Sequence, residues 1–281
     1  MKIVRYELGG RVRPGAVVGD AIVDIGDRWP SVLELVRGGS SALDALASYV
    51  TRNSPSVALA DVKLAAPIER PGKYLAIGMN YRKHLEEAER LGVAAPQKQL
   101  WFNKQTSCIA GPFDQIEPGV TQMLDYEVEL ALIIGSRAKS VKASDALSHV
   151  FGYVVANDVS ARDWQRHTPT FTMGKSFDTH GPIGPWIVTV DEIADPQALA
   201  LHCAVNGVER QSSNTRFMIY GIAEQIEYLS TAFTLEPGDL LATGTPEGVG
   251  IAMEPPSFLN PGDVVRCEVE GIGAIENRVA G

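Results

Sequence analysis

The stretch "MLDYEVELALII", residues 123–134, changes its pattern part-way along. Its first half alternates, so that on an extended strand Asp125, Glu127 and Glu129 fall on one face and Tyr126, Val128 and Leu130 on the other. Its second half, "LALIIG", is apolar at every position before the glycine, as in a strand covered on both sides. Alone, the first half suits a strand with a wet acidic face. Joined to the second, it carries at least Glu129 into the protein interior. Other short runs of β character, "VFGYVVANDVS", "GPWIVTV", "LALHCAVNGVER", "DLLATGTP" and "DVVRCEVEGIGAIENRV", fill much of the chain beyond residue 70. Helical patterns are fewer, chiefly "NYRKHLEEAERLG", "SVKASDALSHV" and "YGIAEQIEYLSTAF". Upstream, β-like "KIVRYEL" and "RPGAVVGDAIVDIG" are followed by helix-like "SVLELVRGG" and "SALDALASYVTRN". Two prolines in "VKLAAPIERPGKYLAIG" then mark a linker. The pattern predicts a strand-rich α+β fold, with a small N-terminal domain over 1–65 and a larger one over 70–281.

Buried acids need compensation. Two carboxylates about 5 Å apart repel by about 3 kcal/mol at an effective dielectric near 20, and desolvation adds to this. Either a proton is shared or a cation lies between the oxygens. With no His or Cys pair nearby, an all-oxygen donor set calls for a hard cation: Mg²⁺, Mn²⁺ or Ca²⁺. A third carboxylate is then expected, and Asp158, closing the apolar run "YVVAN", is the best placed. Its competing role is to cap the helical turn that follows.

Composition narrows the classes. The chain has 281 residues, 45% of them hydrophobic, enough for a substantial core. A formal net charge of −9 argues against a nucleic-acid partner. No apolar run reaches the roughly 18 residues needed to span a bilayer, and the N-terminus reads as a strand rather than a signal segment. The expectation is a cytoplasmic protein. Three scattered cysteines, Cys108, Cys203 and Cys267, suggest neither a disulfide framework nor a zinc site.

Seven segments carry a resemblance: "AIGMNYRKHLEE", "LWFNKQTSCIAGP", "DYEVELALIIG", "NDVSARDWQ", "GKSFDTHGPIGPW", "VNGVERQSSNT" and "LEPGDLLATGTPEGVG". In this order the chain resembles the fumarylacetoacetate hydrolase superfamily over residues 75–250. The resemblance implies a β-roll-like catalytic domain, a homodimer, and a Mg²⁺ or Mn²⁺ ion held by Glu127, Glu129 and Asp158. It also implies a lid after "GMNY" whose His84 and Glu87 close over a keto acid. These two stand at i and i+3, on one helical face. Gly78 and Gly92, which bracket the segment, are candidate hinges. Lys175 of "GKSFDT" is expected to stabilise enolate charge, and Thr245 of "GTP" to meet the substrate carboxylate. Arg162 and Gln165 share a helical turn; Gln165 fits a substrate contact, and Arg162 either a substrate contact or a structural pairing with an acid. Lys104 fits a pocket or an ion pair, Asp125 the rim of the site or a water-bridged position, and His180 a structural place. Asp178 and Thr179 fit loop shaping.

The implied reaction is hydrolytic C–C cleavage of a 2,4-diketo acid, an acylpyruvate or diketo-deoxy sugar acid, to pyruvate and a carboxylic acid. Alternatives on the same site are oxaloacetate decarboxylation and 2-hydroxydienoate isomerisation or tautomerisation. A non-catalytic binding protein of the same fold is the remaining one.

Overall fold

The computed structural model describes residues 1–281. Its larger sheet runs, in spatial order, through Val57–Ala58, Ala21–Asp24, Arg11–Val18, Lys2–Leu8, Gly181–Thr189, Val150–Asn157, Val128–Ile134, Leu240–Ala242, Tyr74–Gly78 and Leu100–Lys104. Neighbours on this path are antiparallel, except that Leu240–Ala242 runs parallel to Tyr74–Gly78. A second, antiparallel sheet orders Val208–Asn214, Ala200–Val205, Val264–Val269 and Gly273–Arg278.

Val128–Ile134 is buried at every position, as its doubly apolar composition predicts. Leu130, Leu132 and Ile134 enter a core shared with Leu201 and Val265 of the second sheet and Ile226 of the helix Ile222–Ala232. Ala131 and Ile133 enter another core, against Val32, Leu35 and Leu46 of the helices Val32–Arg37 and Gly39–Arg52. The result is a strand-rich α+β architecture with the acidic strand at its centre. The N-terminal segment shares the large sheet: Lys2 and Ile3 pair with Val188 and Ile187. Two of the expected helices form as Arg82–Arg90 and Ile222–Ala232. The third shrinks to Ala143–Ala146 and a 3₁₀ turn at Leu147–His149, with no side-chain cap at Lys142 to extend it. All three cysteines are free and buried.

The acidic segment is not one continuous strand. Asp125 pairs with Ser160 and Val128 with Asn157, and between them Tyr126 and Glu127 on one side, and Asp158 and Val159 on the other, leave the strand ladder. The gap is bridged by the Asp158 N–H donating to the Glu127 carbonyl (2.9 Å) and the Glu127 N–H donating to Asn157 Oδ1 (3.0 Å). This break brings the side chains of Glu127 and Asp158 to the same place.

Candidate active site

Glu127, Glu129 and Asp158 come together as the acidic pattern suggests: each offers a carboxylate oxygen, all within 4.8 Å of one another, and all three residues are buried. Lys175 Nζ lies 2.7 Å from both Glu127 Oε2 and Asp158 Oδ2, and Lys104 Nζ lies 2.5 Å from Asp158 Oδ1. Glu129 gains no side-chain partner; its one hydrogen bond comes from the Gly244 N–H, at 2.8 Å. The electrostatics follow. Burial pushes Glu127 up, but Lys175 and Arg162 outweigh it and hold its carboxyl below the usual range. Burial, then the charges of Asp158 and Glu127, push Glu129 well above its usual value. An all-oxygen cluster in which one buried carboxylate has no counter-charge fits a hard divalent cation, and this chemistry would hold Mg²⁺ or Mn²⁺ on Glu127, Glu129 and Asp158.

Asp125 is not at the rim. It is fully buried, accepting from the Gly250 and Ile251 N–H groups (2.8 and 3.0 Å) and from Arg162 Nε (2.9 Å). Its place follows from the ladder break, which separates it from the regular alternation of Val128–Ile134. Arg162 Nη2 reaches Glu127 Oε1 at 2.6 Å, and Nη1 donates to Gln165 Oε1 at 3.0 Å. The arginine is thus a brace between acids, and it turns the Gln165 amide with its oxygen already taken. Lys104 is a buried ion-pair partner that also donates to the His180 carbonyl (3.0 Å), a contact that orients Asp158. Thr245 lines the cavity, but its hydroxyl donates to the Val128 carbonyl (2.9 Å) and accepts from Gln211 Nε2 (2.8 Å). His180 is buried against Phe177, and burial followed by Lys104 holds it down to about 4.

The helix Arg82–Arg90 closes over this floor. Buried Asn80 anchors its start, donating to the Tyr220 and Thr243 carbonyls (3.1 and 2.8 Å) and accepting from the Tyr220 N–H (2.9 Å). The left-handed residue at the entry is Met79 (φ 55°) rather than Gly78, while Gly92 (φ 79°) follows the helix end. His84 and Glu87 both face the cavity, with Nδ1 and Oε2 at 3.2 Å. Glu87 Oε1 accepts the Gly248 N–H at 2.9 Å, clamping the helix to the loop after Thr245. Gly248 has φ +99°, and a Cβ there would meet the Arg210 carbonyl oxygen at 2.1 Å, so only glycine presents this N–H. A carboxylate only accepts, so in the neutral imidazole Glu87 sets the His84 proton on Nδ1 and leaves the lone pair on Nε2. The cavity, open on one side, measures about 170 Å³, below the roughly 300 Å³ at which sites for drug-sized ligands begin, and suits a small acid.

Sequence reasoning missed the residues that hold these groups in place. Asn80 of "GMNY", Gln211 and the N–H groups of Gly244 and Gly248 act through the backbone or through long-range contacts, and only the glycines of "GTPEGVG" hinted at them.

Comparison with known proteins shows what the chain as a whole is similar to. The family model described as fumarylacetoacetate (FAA) hydrolase C-terminal matches residues 73–280. A mitochondrial oxaloacetate tautomerase of Bos taurus is 42% identical over 268 residues, 93% of this chain and 84% of the relative. Among solved structures, a fumarylacetoacetate hydrolase from psychrophilic Exiguobacterium antarcticum is 38% identical with TM-score 0.84, covering 100% of this chain and 99% of its own. A maleylpyruvate hydrolase from Sphingobium sp. SYK-6, in complex with manganese(II) and pyruvate, is 32% identical with TM-score 0.82 and the same coverage. The expectation of a cytoplasmic protein is corrected by the relative's mitochondrial designation. The acidic charge and lack of a long apolar run behind that expectation are shared by proteins of every aqueous compartment. No helix is long and apolar enough to cross a membrane.

Proposed function

The chain belongs to the fumarylacetoacetate hydrolase family, an enzyme family with hydrolase and tautomerase members, and from that premise we propose that it is a divalent-metal-dependent tautomerase of a small 2-oxo acid of the oxaloacetate type. The reading replaces C–C hydrolysis of a diketo acid as the first choice, because the Bos taurus relative that covers 93% of this chain is named for tautomerisation. The observation that carries the chemistry is the His84–Glu87 pair, a base oriented over the carboxylate floor.

Keto–enol interconversion moves one proton between C3 and the C2 oxygen. With its Nδ1 proton on Glu87, His84 offers Nε2 to the C3 proton, and the resulting imidazolium is stabilised by the same carboxylate. The C3–H electron pair becomes the C2–C3 double bond and charge moves to the C2 oxygen. Because C3 and that oxygen are two bonds apart, the one imidazole can return the proton to either. Lys175 spends two of its three N–H groups on Glu127 and Asp158 and has the third for the oxygen. A divalent cation bound by Glu127, Glu129 and Asp158 would supply Lewis-acid stabilisation of that enolate charge. Arg162 holds Glu127 and orients Gln165, whose NH₂ group is the substrate donor in this reading. The homodimer implied by the family belongs to the same reading, and light scattering tests it.

Hydrolysis is the second reading, favoured by the maleylpyruvate hydrolase relative; there His84 would take its proton from water. The deciding experiment mixes purified protein and Mg²⁺ or Mn²⁺ with enol-oxaloacetate and, separately, with acylpyruvates. Accelerated loss of enol absorbance without pyruvate release supports tautomerisation. Pyruvate from acylpyruvates with no enol effect moves the assignment to the hydrolase, and pyruvate plus CO₂ from oxaloacetate moves it to decarboxylation.

A further inference from the structure

The short helix Arg162–Gln165 and the residue capping it direct Arg162, Gln165 and Arg166 to one cavity, at the i, i+3, i+4 spacing of a single helical face. The cations differ in what they are free to do. Arg162 is committed to Asp125 and Glu127, and Lys175 to Glu127 and Asp158. Lys104 is sealed against Asp158 and does not line the cavity. Arg166 alone lines the cavity with an exposed side chain that has no carboxylate, carbonyl or aromatic partner. Its cavity neighbours include apolar Leu91, Val93 and Phe171. The two acids lining the same space, Glu87 and Glu127, are already occupied by His84, Gly248, Lys175 and Arg162.

We infer that Arg166 is a specificity-determining residue that receives the second carboxylate of a dicarboxylic 2-oxo acid. The inference rests on the tautomerase reading only for where the head of the substrate lies, at the carboxylate floor. A guanidinium offers paired N–H donors that match a carboxylate, and apolar surroundings strengthen the pair once a ligand displaces water. A monocarboxylic 2-oxo acid would leave this guanidinium with nothing to bind.

The test uses full-length Mg²⁺-loaded protein, wild type, Arg166→Gln and Arg166→Lys, titrated calorimetrically with oxaloacetate and with pyruvate, which has hydrogen in place of the second carboxylate. Loss of a charge-assisted contact predicts oxaloacetate affinity lower by about tenfold to a hundredfold in Arg166→Gln. Arg166→Lys should lose less, because it keeps the charge but not the fork. Pyruvate affinity should stay within about twofold in both, a split that misfolding would not produce. Oxaloacetate bound equally by wild type and Arg166→Gln, or both ligands weakened alike, overturns the assignment. Failure of the tautomerase reading looks different: oxaloacetate binds in an Arg166-dependent way, yet the enol signal decays at its spontaneous rate.

Discussion

Replacing Glu87 by Gln tests the base with little change of shape. The carboxylate takes the His84 Nδ1 proton at 3.2 Å with one oxygen and the Gly248 N–H at 2.9 Å with the other. In Glu87→Gln the amide oxygen can keep Gly248, which leaves an NH₂ group facing Nδ1. Two donors cannot face each other, so the imidazole moves its proton to Nε2 and presents no lone pair to the substrate. Losing one hydrogen bond to a charged group costs about 1.5–3 kcal/mol, a factor of roughly 10 to 150, while losing general-base catalysis costs roughly 10² to 10⁴. Tautomer reversal disables the base itself, so the second range applies: kcat should fall by about 10² to 10⁴. KM should change little, because the lid stays tied to Gly248. The assay is enol-oxaloacetate absorbance at saturating Mn²⁺, with Mn²⁺ binding checked on the same sample. An enzyme that binds Mn²⁺ normally and keeps kcat within threefold of wild type would refute the reasoning.

Other expectations follow from neighbouring contacts. Glu129→Gln, which removes the carboxylate lacking a counter-charge, should weaken Mn²⁺ binding by at least about 100-fold, read from the free-ion electron paramagnetic resonance signal; wild-type affinity would remove Glu129 from the donor set. Asp125→Asn leaves Arg162 with one buried anion instead of two and should cost about 3 kcal/mol in urea unfolding; an unchanged midpoint would show the pair to be dispensable. His180 is held at about 4 in the fold and titrates near 6.5 when unfolded. As pH falls from about 6.5 to 4 the unfolded chain takes up a proton that the folded one refuses, so up to about 3 kcal/mol present above that window is lost within it. His180→Gln should flatten this acid slope, and identical slopes for both proteins would contradict the assignment.

Much of the site was legible because its information is local. Alternation singled out Glu127 and Glu129, of which Glu129 lies on the strand Val128–Ile134, the unbroken apolar run buried that strand, and i, i+3 spacing set His84 and Glu87 on one helical face. What stayed hidden depends on partners distant in sequence. The ladder break at Tyr126–Glu127 exists because the facing chain also leaves register at Asp158, and Asp125 finds its donors at Gly250 and Ile251. The pairing of Lys2 with Val188 was equally out of reach, since no local pattern records it. Arg166 was within reach, one residue beyond Gln165 on the same helical face, but an exposed arginine looks like any solvated charge until the commitments of its neighbours are known. The reaction itself was hidden for another reason: cleavage, decarboxylation and tautomerisation all stabilise an enolate beside a carboxylate, so one residue set serves all three.

The central claim is that His84, over a metal-binding floor, transfers a proton between carbon and oxygen of a 2-oxo acid. Exchange of the C3 protons of oxaloacetate into D₂O, followed by proton NMR with Mn²⁺ replaced by diamagnetic Mg²⁺, measures that transfer directly. The account predicts exchange accelerated by the Mg²⁺-loaded protein, lost on chelation, and lost in His84→Ala that still binds Mg²⁺. Wild-type exchange rates in His84→Ala, or a wild-type protein that leaves the spontaneous rate unchanged, would contradict it.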